Sequence, residues 1–287
     1  MENSERLTRR LMLAGGVVSA IVGSAVGADR AVADAAPPLL FNLKGRFVQS
    51  GYALGQTTPN AQFRVDGVPR GLTSANGYFY VGLDRDAPAS CLIEVQTATG
   101  LQSARIDVAP GTYDVQRVDG LPQDTVTPSD PALLVRIKRE SDLKNAAFTS
   151  HDATDGFKTG FIYPLKTFTV SGHFGNQRVL NGTPKSPHYG FDMAAPSGTN
   201  IYAPAQGLVV LAQTDLFFEG GLTLIDHGQG LISMYLHQSR LLVKQGDRVT
   251  QAQLIGKVGA KGRATGPHLC WRLKWGDRHM DPSLMVV

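Results

Sequence analysis

Over residues 39–118 short apolar runs alternate with turn signals. The segments 41–48, 61–65 ahead of Asp66-Gly67, 77–81, 91–95 and 104–108 interleave apolar with polar residues. Strand side chains point to opposite faces with a period of two, so such runs suit half-buried strands. With Asp-Gly and Asn-Gly between them, they predict a small N-terminal β-sandwich over 38–118. The pattern then lengthens. Ser129 and Asp130 can cap a helix, Pro131 suits its first turn, and Leu133, Leu134, Ile137, Leu143 and Ala147 can line one side. A helix over 131–148 is therefore expected inside a connecting region, 119–160, bounded by Leu121-Pro122, Thr127-Pro128 and a polar stretch. From residue 161 onward the runs shorten again, at 208–212, 222–225, 231–236 and 254–258, parted by glycines. The fold class expected is mainly β, with a helical linker and a C-terminal antiparallel β domain over 161–287.

The first residues read as an address. Arg9-Arg10 precede an apolar run over 11–26, followed by Ala31-Val32-Ala33 and Ala35-Ala36. This is the grammar of an export signal over 1–33, and its Arg pair and weak hydrophobicity are twin-arginine-like, with a general secretory signal as the alternative. The run, diluted with Gly, falls short of the ~20 residues that span a bilayer comfortably. An exported protein is expected, in the periplasm or, alternatively, secreted, with no membrane span in the mature chain.

Composition changes this picture little. The 287 residues are 42% hydrophobic and 18% charged, with 32 Gly and 16 Pro, which suits a turn-rich β protein. The formal charge of +4 is compatible with an anionic polymer as partner. Absence of a Lys/Arg cluster interleaved with aromatics argues against nucleic acid. The two cysteines, Cys91 and Cys270, would ordinarily suggest a disulfide outside the cytoplasm.

Six of the seven histidines lie beyond residue 160, and several have the company that metal chemistry requires. His188 and Asp192 stand four apart, with Gly190 permitting a bend that lets imidazole and carboxylate converge on one cation. His237 ends an apolar strand. His268 and Cys270 share a strand face because they are two apart. Together these groups offer N, O and S donors.

Their order and surroundings resemble the lysostaphin-type (LytM-like) zinc metalloendopeptidase family. The matching segments include Ser171-Gly172-His173-Phe174-Gly175, His188-Tyr189-Gly190-Phe191-Asp192, Asp226-His227-Gly228, Tyr235-Leu236-His237, Gly246-Asp247-Arg248-Val249, Ile255-Gly256-Lys257-Val258-Gly259 and Gly266-Pro267-His268-Leu269. The resemblance covers about 161–282. It implies a compact antiparallel β peptidase domain with one zinc ion held by His188, Asp192 and residue 270, and a catalytic pair, His237 and His268, beside the metal. The substrate implied is peptidoglycan, with D-alanyl cross-links preferred and other cell-wall enzymes as further partners. This chain departs from the family pattern at Cys270, where a second His of an H-x-H motif is expected. Thiolate is a good zinc ligand, so the resemblance still implies a metal site. The alternative expectation is a catalytically impaired member that regulates cell-wall amidases. The resemblance gives His173 a place at the cleft rim and sets Asn181 near the position from which some family members contribute an inhibitory or ligating amide, though Asn181 is not counted among the ligands; His227 is expected in a hairpin, His279 on a surface turn, and Tyr235 and Trp271 as shapers of the site or core.

Overall fold

The computed structural model describes residues 42–287; the expected export signal lies outside the described residues. The described residues all belong to one compact unit. The N-terminal strands make two antiparallel sheets. One joins Asn42–Arg46, Tyr52–Gln56 and Tyr78–Gly82; the other orders Val68–Leu72, Gln62–Val65, Ser90–Thr97 and Gly100–Asp107. Alternation decides their faces: along Ser90–Thr97 the side chains of Cys91, Ile93 and Val95 turn inward while Gln96 is exposed.

These strands do not end in a core of their own. Phe63, Phe79, Tyr80, Ile93 and Ile106 belong to the same buried cluster as Phe157, Phe161, Met193, Tyr235, Trp271 and Trp275. Tyr80 sits at the junction, its ring 5.8 Å from Tyr52, 5.7 Å from Phe157 and 6.1 Å from Trp275. Polar contacts reinforce the seam: Asp84 accepts from the His279 backbone N–H at 2.7 Å, and Asp155 accepts from Ser74 and Asn76.

The C-terminal half is built on an antiparallel sheet whose order is Arg248–Val249, Gly207–Leu216, Gly220–Asp226, Leu231–Gln238, His268–Trp275, Phe191–Ala194 and Thr169–Gly172, with Arg278–Met280 paired to His268–Trp275. Every residue of Gly220–Asp226 and Leu231–Gln238 is buried. Both faces of these strands are therefore covered. On one face lies the shared core; on the other, Leu211, Leu222, Leu224, Ile232, Met234 and Leu236 form a second cluster, with Ala147 and Phe148 against it.

Ala147 belongs to the helix Pro131–Ala147, whose N-cap is Asp130, accepting from the Leu133 N–H at 2.8 Å. The apolar side read for this helix docks only in part, with Leu133, Ile137 and Ala147 half-buried. Leu134 and Leu143 remain exposed, and the one fully buried helical residue is Glu140. Its carboxylate takes the Arg136 Nε–H at 2.7 Å and the Phe217 backbone N–H at 2.8 Å, while Lys144 pairs with Glu219. Charged hydrogen bonds to the neighbouring loop hold the helix where a stripe of leucines was expected. No described helix is long and apolar enough to cross a membrane.

Candidate active site

Cross-strand register assembles the site. Phe191–Ala194 and His268–Trp275 pair antiparallel with Asp192 opposite Cys270 and Ala194 opposite His268, so carboxylate, thiol and the His268 ring come to neighbouring positions of the sheet. A slip of one residue would send them to opposite faces. His188 precedes this strand in a loop tied at both backbone groups, its N–H to Asn176 O at 2.8 Å and its carbonyl to the Gly175 N–H at 2.7 Å. His237 closes Leu231–Gln238 with φ of 64°, a left-handed conformation uncommon for a non-glycine residue. Two contacts hold it there: its N–H donates to Glu219 O at 2.8 Å and its Nδ1 lies 2.7 Å from Lys261 O.

The residues named from sequence meet in one place. His188 Nε2 lies 3.2 Å from Asp192 Oδ1 and 3.5 Å from Cys270 Sγ, and one donor atom from each of the three residues lies within 4.8 Å of the others. His268 Nε2 is 3.9 Å from Asp192 Oδ1, and the His237 and His268 rings are 4.7 Å apart. Asp192, His237, His268 and Cys270 line a cleft whose other wall includes Val118 and Leu121 from the N-terminal half. That wall is anchored by the parallel pairing of Val115–Val118 with Gln177–Leu180 and by the reciprocal bonding of the Asn181 amide to Leu121.

Several observations fit a cation at the point of convergence. Asp192 Oδ1 is buried and has no hydrogen-bond partner, with His188 Nε2 3.2 Å away. The donor set of imidazole nitrogen, carboxylate oxygen and sulfur is one that zinc accepts. Gly190 leaves the space: a Cβ built there would lie 2.6 Å from Cys270 Sγ and 2.9 Å from His188 Nε2. Gly172 does the same behind the carboxylate, where a Cβ would fall 2.6 Å from Asp192 Oδ2.

Charge states suit the role. Burial pushes the His188 imidazole down to about 4, so the ring is a neutral donor at neutral pH. Burial by itself would raise the Asp192 carboxyl, but the facing His188 ring, then His268 and the Arg178 guanidinium, hold it well below the usual carboxylate range. The Cys270 thiol is pushed up to about 12 by burial and by the Asp192 charge, so ligation requires the incoming cation to displace its proton to solvent. His237 is lowered to about 3 by burial, helped by the His268 charge. Nδ1 of His237 faces the Lys261 carbonyl and Nδ1 of His268 the Gly266 carbonyl, at 2.7 and 2.9 Å. A carbonyl can only accept, so both Nδ1 atoms carry a proton, and on the neutral His237 ring the Nε2 lone pair is free.

Other sequence readings sort by position. His173 is exposed. His227 does occupy the hairpin between Gly220–Asp226 and Leu231–Gln238, but fully buried, between Gln206 O and Ser233 Oγ. Tyr235 and Trp271 are fully buried in the shared core. His279 is not on a surface turn: it lies in the strand Arg278–Met280, and its ring stacks on Tyr189 with centroids 4.3 Å apart. The thiols of Cys91 and Cys270 are both free and buried. Sequence reasoning overlooked three arginines. Arg178 donates to Asp192 Oδ2 at 3.1 Å, Arg272 directs Nε to Cys270 Sγ at 3.4 Å, and Arg263 lines the cleft. The period of two places Arg272 on the face of Cys270, a signal open to inspection; Arg178 and Arg263 come from loops or distant strands and carried none.

The sequence pattern of peptidase family M23 matches residues 186–282. Peptidoglycan DD-endopeptidase ShyA of Vibrio cholerae is 38% identical over 113 residues, 39% of this chain and 26% of that protein. DD-carboxypeptidase/endopeptidase Mpg of Neisseria meningitidis is 33% identical over 131 residues, 45% of this chain and 30% of that protein. The matched region thus spans less than a third of either curated relative. A structural-genomics crystal structure from Pseudomonas aeruginosa, described as a peptidase M23, superposes with a TM-score of 0.63 at 32% identity, covering 84% of this chain and 95% of that one.

Proposed function

We propose, from the premise that this chain belongs to peptidase family M23, that it is an exported, zinc-dependent endopeptidase hydrolysing peptide bonds of bacterial peptidoglycan, with D-alanyl cross-links as its target. One observation carries the reading: His188, Asp192 and Cys270 converge on a point beside which the His237 and His268 rings, each held at Nδ1 by a backbone carbonyl, line a cleft. In this reading the first three hold the metal and the last two handle protons.

When bound, zinc supplies Lewis-acid polarisation of the scissile carbonyl and acidifies the attacking water. The protein's residues do the rest. His268 is placed at the rim of the donor set, its Nε2 within 3.9 Å of Asp192 Oδ1, where it can take the proton of the attacking water. His237, whose depressed pKa keeps it unprotonated, can hydrogen-bond the developing oxyanion only after it gains a proton, so its fitting task is to accept one or to orient the same water. The backbone carbonyls of Lys261 and Gly266 fix both rings in the required tautomer. The proton collected at Nε2 passes to the leaving amine, and two peptide ends result.

The choice of D-alanyl cross-links is supported by relatives named as DD-endopeptidases. The periplasmic location is supported by Arg9-Arg10 ahead of the apolar run. The amidase-regulator alternative is not favoured by those same names. The test is direct. Mature protein reconstituted with zinc is incubated with intact sacculi and with purified cross-linked muropeptide dimers, and new amines and monomers are measured. Release by wild type and none by His188→Ala is expected; identical traces from the two would refute the enzyme reading.

A further inference from the structure

Three guanidinium groups converge on the candidate site, and they are not equally committed. Arg178 is engaged by Asp192 Oδ2 at 3.1 Å and Gln116 Oε1 at 3.3 Å. Arg272 gives its Nε–H to Cys270 Sγ. Arg263 shares the cleft with His237, His268 and Asp192, lies over the Phe218 ring at 4.9 Å, and donates only a long bond, 3.3 Å, to the Thr125 carbonyl. Among the described residues no carboxylate comes within salt-bridge distance of it. Glu219, whose charge does reach Arg263, is already ion-paired with Lys144.

The electrostatic consequence is positive charge that the Glu219 carboxylate offsets only in part. Burial, and after it the charges of Arg178 and Arg272, push the Arg263 pKa down. A guanidinium still does not lose its proton at any physiological pH. A desolvated, repelled cation at the wall of a cleft is stabilised further by an anion that enters the cleft. Its planar fork matches a carboxylate with two parallel hydrogen bonds.

The substrate class proposed above supplies such an anion at a defined place. In a bond joining D-alanine to the amino group of a D-centred diacid, the carbon bearing the scissile nitrogen also carries a free carboxylate. That carboxylate sits two bonds from the atom that must lie beside His268. We infer that Arg263 is the carboxylate-binding residue of the cleft, gripping the free carboxylate on the leaving-amine side of the scissile bond. This rests on the hydrolase reading for the identity of the anion. It makes an uncharged, amidated cross-link a poor ligand, because the amide offers one acceptor where the fork needs two and leaves the guanidinium charge unanswered.

The experiment uses two purified muropeptide dimers, one with the D-centre carboxylate free and one with it amidated. Binding to the zinc-loaded protein is measured by calorimetry and cleavage by chromatography, for wild type, Arg263→Gln and Arg263→Lys. A charge-assisted hydrogen bond discriminates by roughly 10- to 100-fold, so wild type should bind the free dimer tighter by that factor. Arg263→Gln should bind both alike with unchanged zinc content and melting temperature. Arg263→Lys, which keeps the charge and loses the fork, should fall between them. Equal binding of the two dimers by wild type, no binding of either, or discrimination undiminished in Arg263→Gln, overturns the assignment. Discrimination in binding without cleavage of either dimer retains the carboxylate site and removes the hydrolase reading. Cleavage of both dimers at equal rates and affinities does the reverse.

Discussion

Gly190→Ala tests the proposed metal site with a single methyl group. The Gly190 backbone lies outside the left-handed region, so the substitution acts by sterics alone. The added Cβ meets Cys270 Sγ at 2.6 Å, His188 Nε2 at 2.9 Å and Arg272 Cγ at 3.1 Å. Ordinary contacts between such atoms begin near ~3.5 Å, so relief requires the sulfur to retreat by about 0.9 Å and the ring nitrogen by about 0.6 Å. Zinc holds sulfur near ~2.3 Å and imidazole near ~2.0 Å, and a site tolerates deviations of about 0.2 Å. Both donors would thus move by several times that tolerance, and the methyl would stand where the ion belongs. A loss of zinc affinity of at least ~100-fold is expected, at or beyond the upper end of what loss of an outer hydrogen-bond partner causes. The apo fold should suffer only overpacking, about 1–3 kcal/mol, seen as a melting temperature lower by roughly 2–12 °C. Chelator competition gives the affinity, and thermal melts of both apo proteins give the stability. A Gly190→Ala protein that binds one zinc within threefold of wild-type affinity would refute the placement of the ion.

Three further outcomes follow from other parts of the structure. Burial holds the His227 pKa at about 4 against 6.5; between these values the unfolded chain binds the extra proton, so stability is full above pH 6.5 and declines as pH falls toward 4, by about 3 kcal/mol from this group. The lowered His279 adds to the same slope, and a urea midpoint that stays flat between pH 7 and 4.5 would contradict the burial argument. Asp226 accepts from Ser150 Oγ, the Asp152 N–H and the Gly228 N–H at 2.6, 2.8 and 2.8 Å; Asp226→Ala leaves buried donors unpaired and should destabilise by about 2–4 kcal/mol in denaturant titrations, with a change below 0.5 kcal/mol counting against it. His268→Ala should retain zinc while lowering turnover of cross-linked dimers by about 100- to 10,000-fold, and unchanged turnover would remove His268 from proton transfer.

Local pattern carried the mainly β class and the candidate donors, since alternation with period two is a property of contiguous backbone. It placed His268 and Cys270 on one face before any tertiary contact was known, and it allowed a bend at Gly190. It missed that buried Glu140 and its charged partners anchor the helix Pro131–Ala147 beside its half-buried apolar residues, and it put His279 on a surface turn although Tyr189 stacks on its ring. What no local reading supplies is register. His188 and Cys270 are separated by 82 residues, and their approach depends on Asp192 standing opposite Cys270 across two strands. The same holds for the charges: Arg178, Arg263 and Arg272 are unremarkable surface-type residues in the sequence until folding removes them from water together. Side-chain periodicity is decided within a strand; which strand faces which, and which cations are left without a counter-ion, is decided only when distant segments share one core.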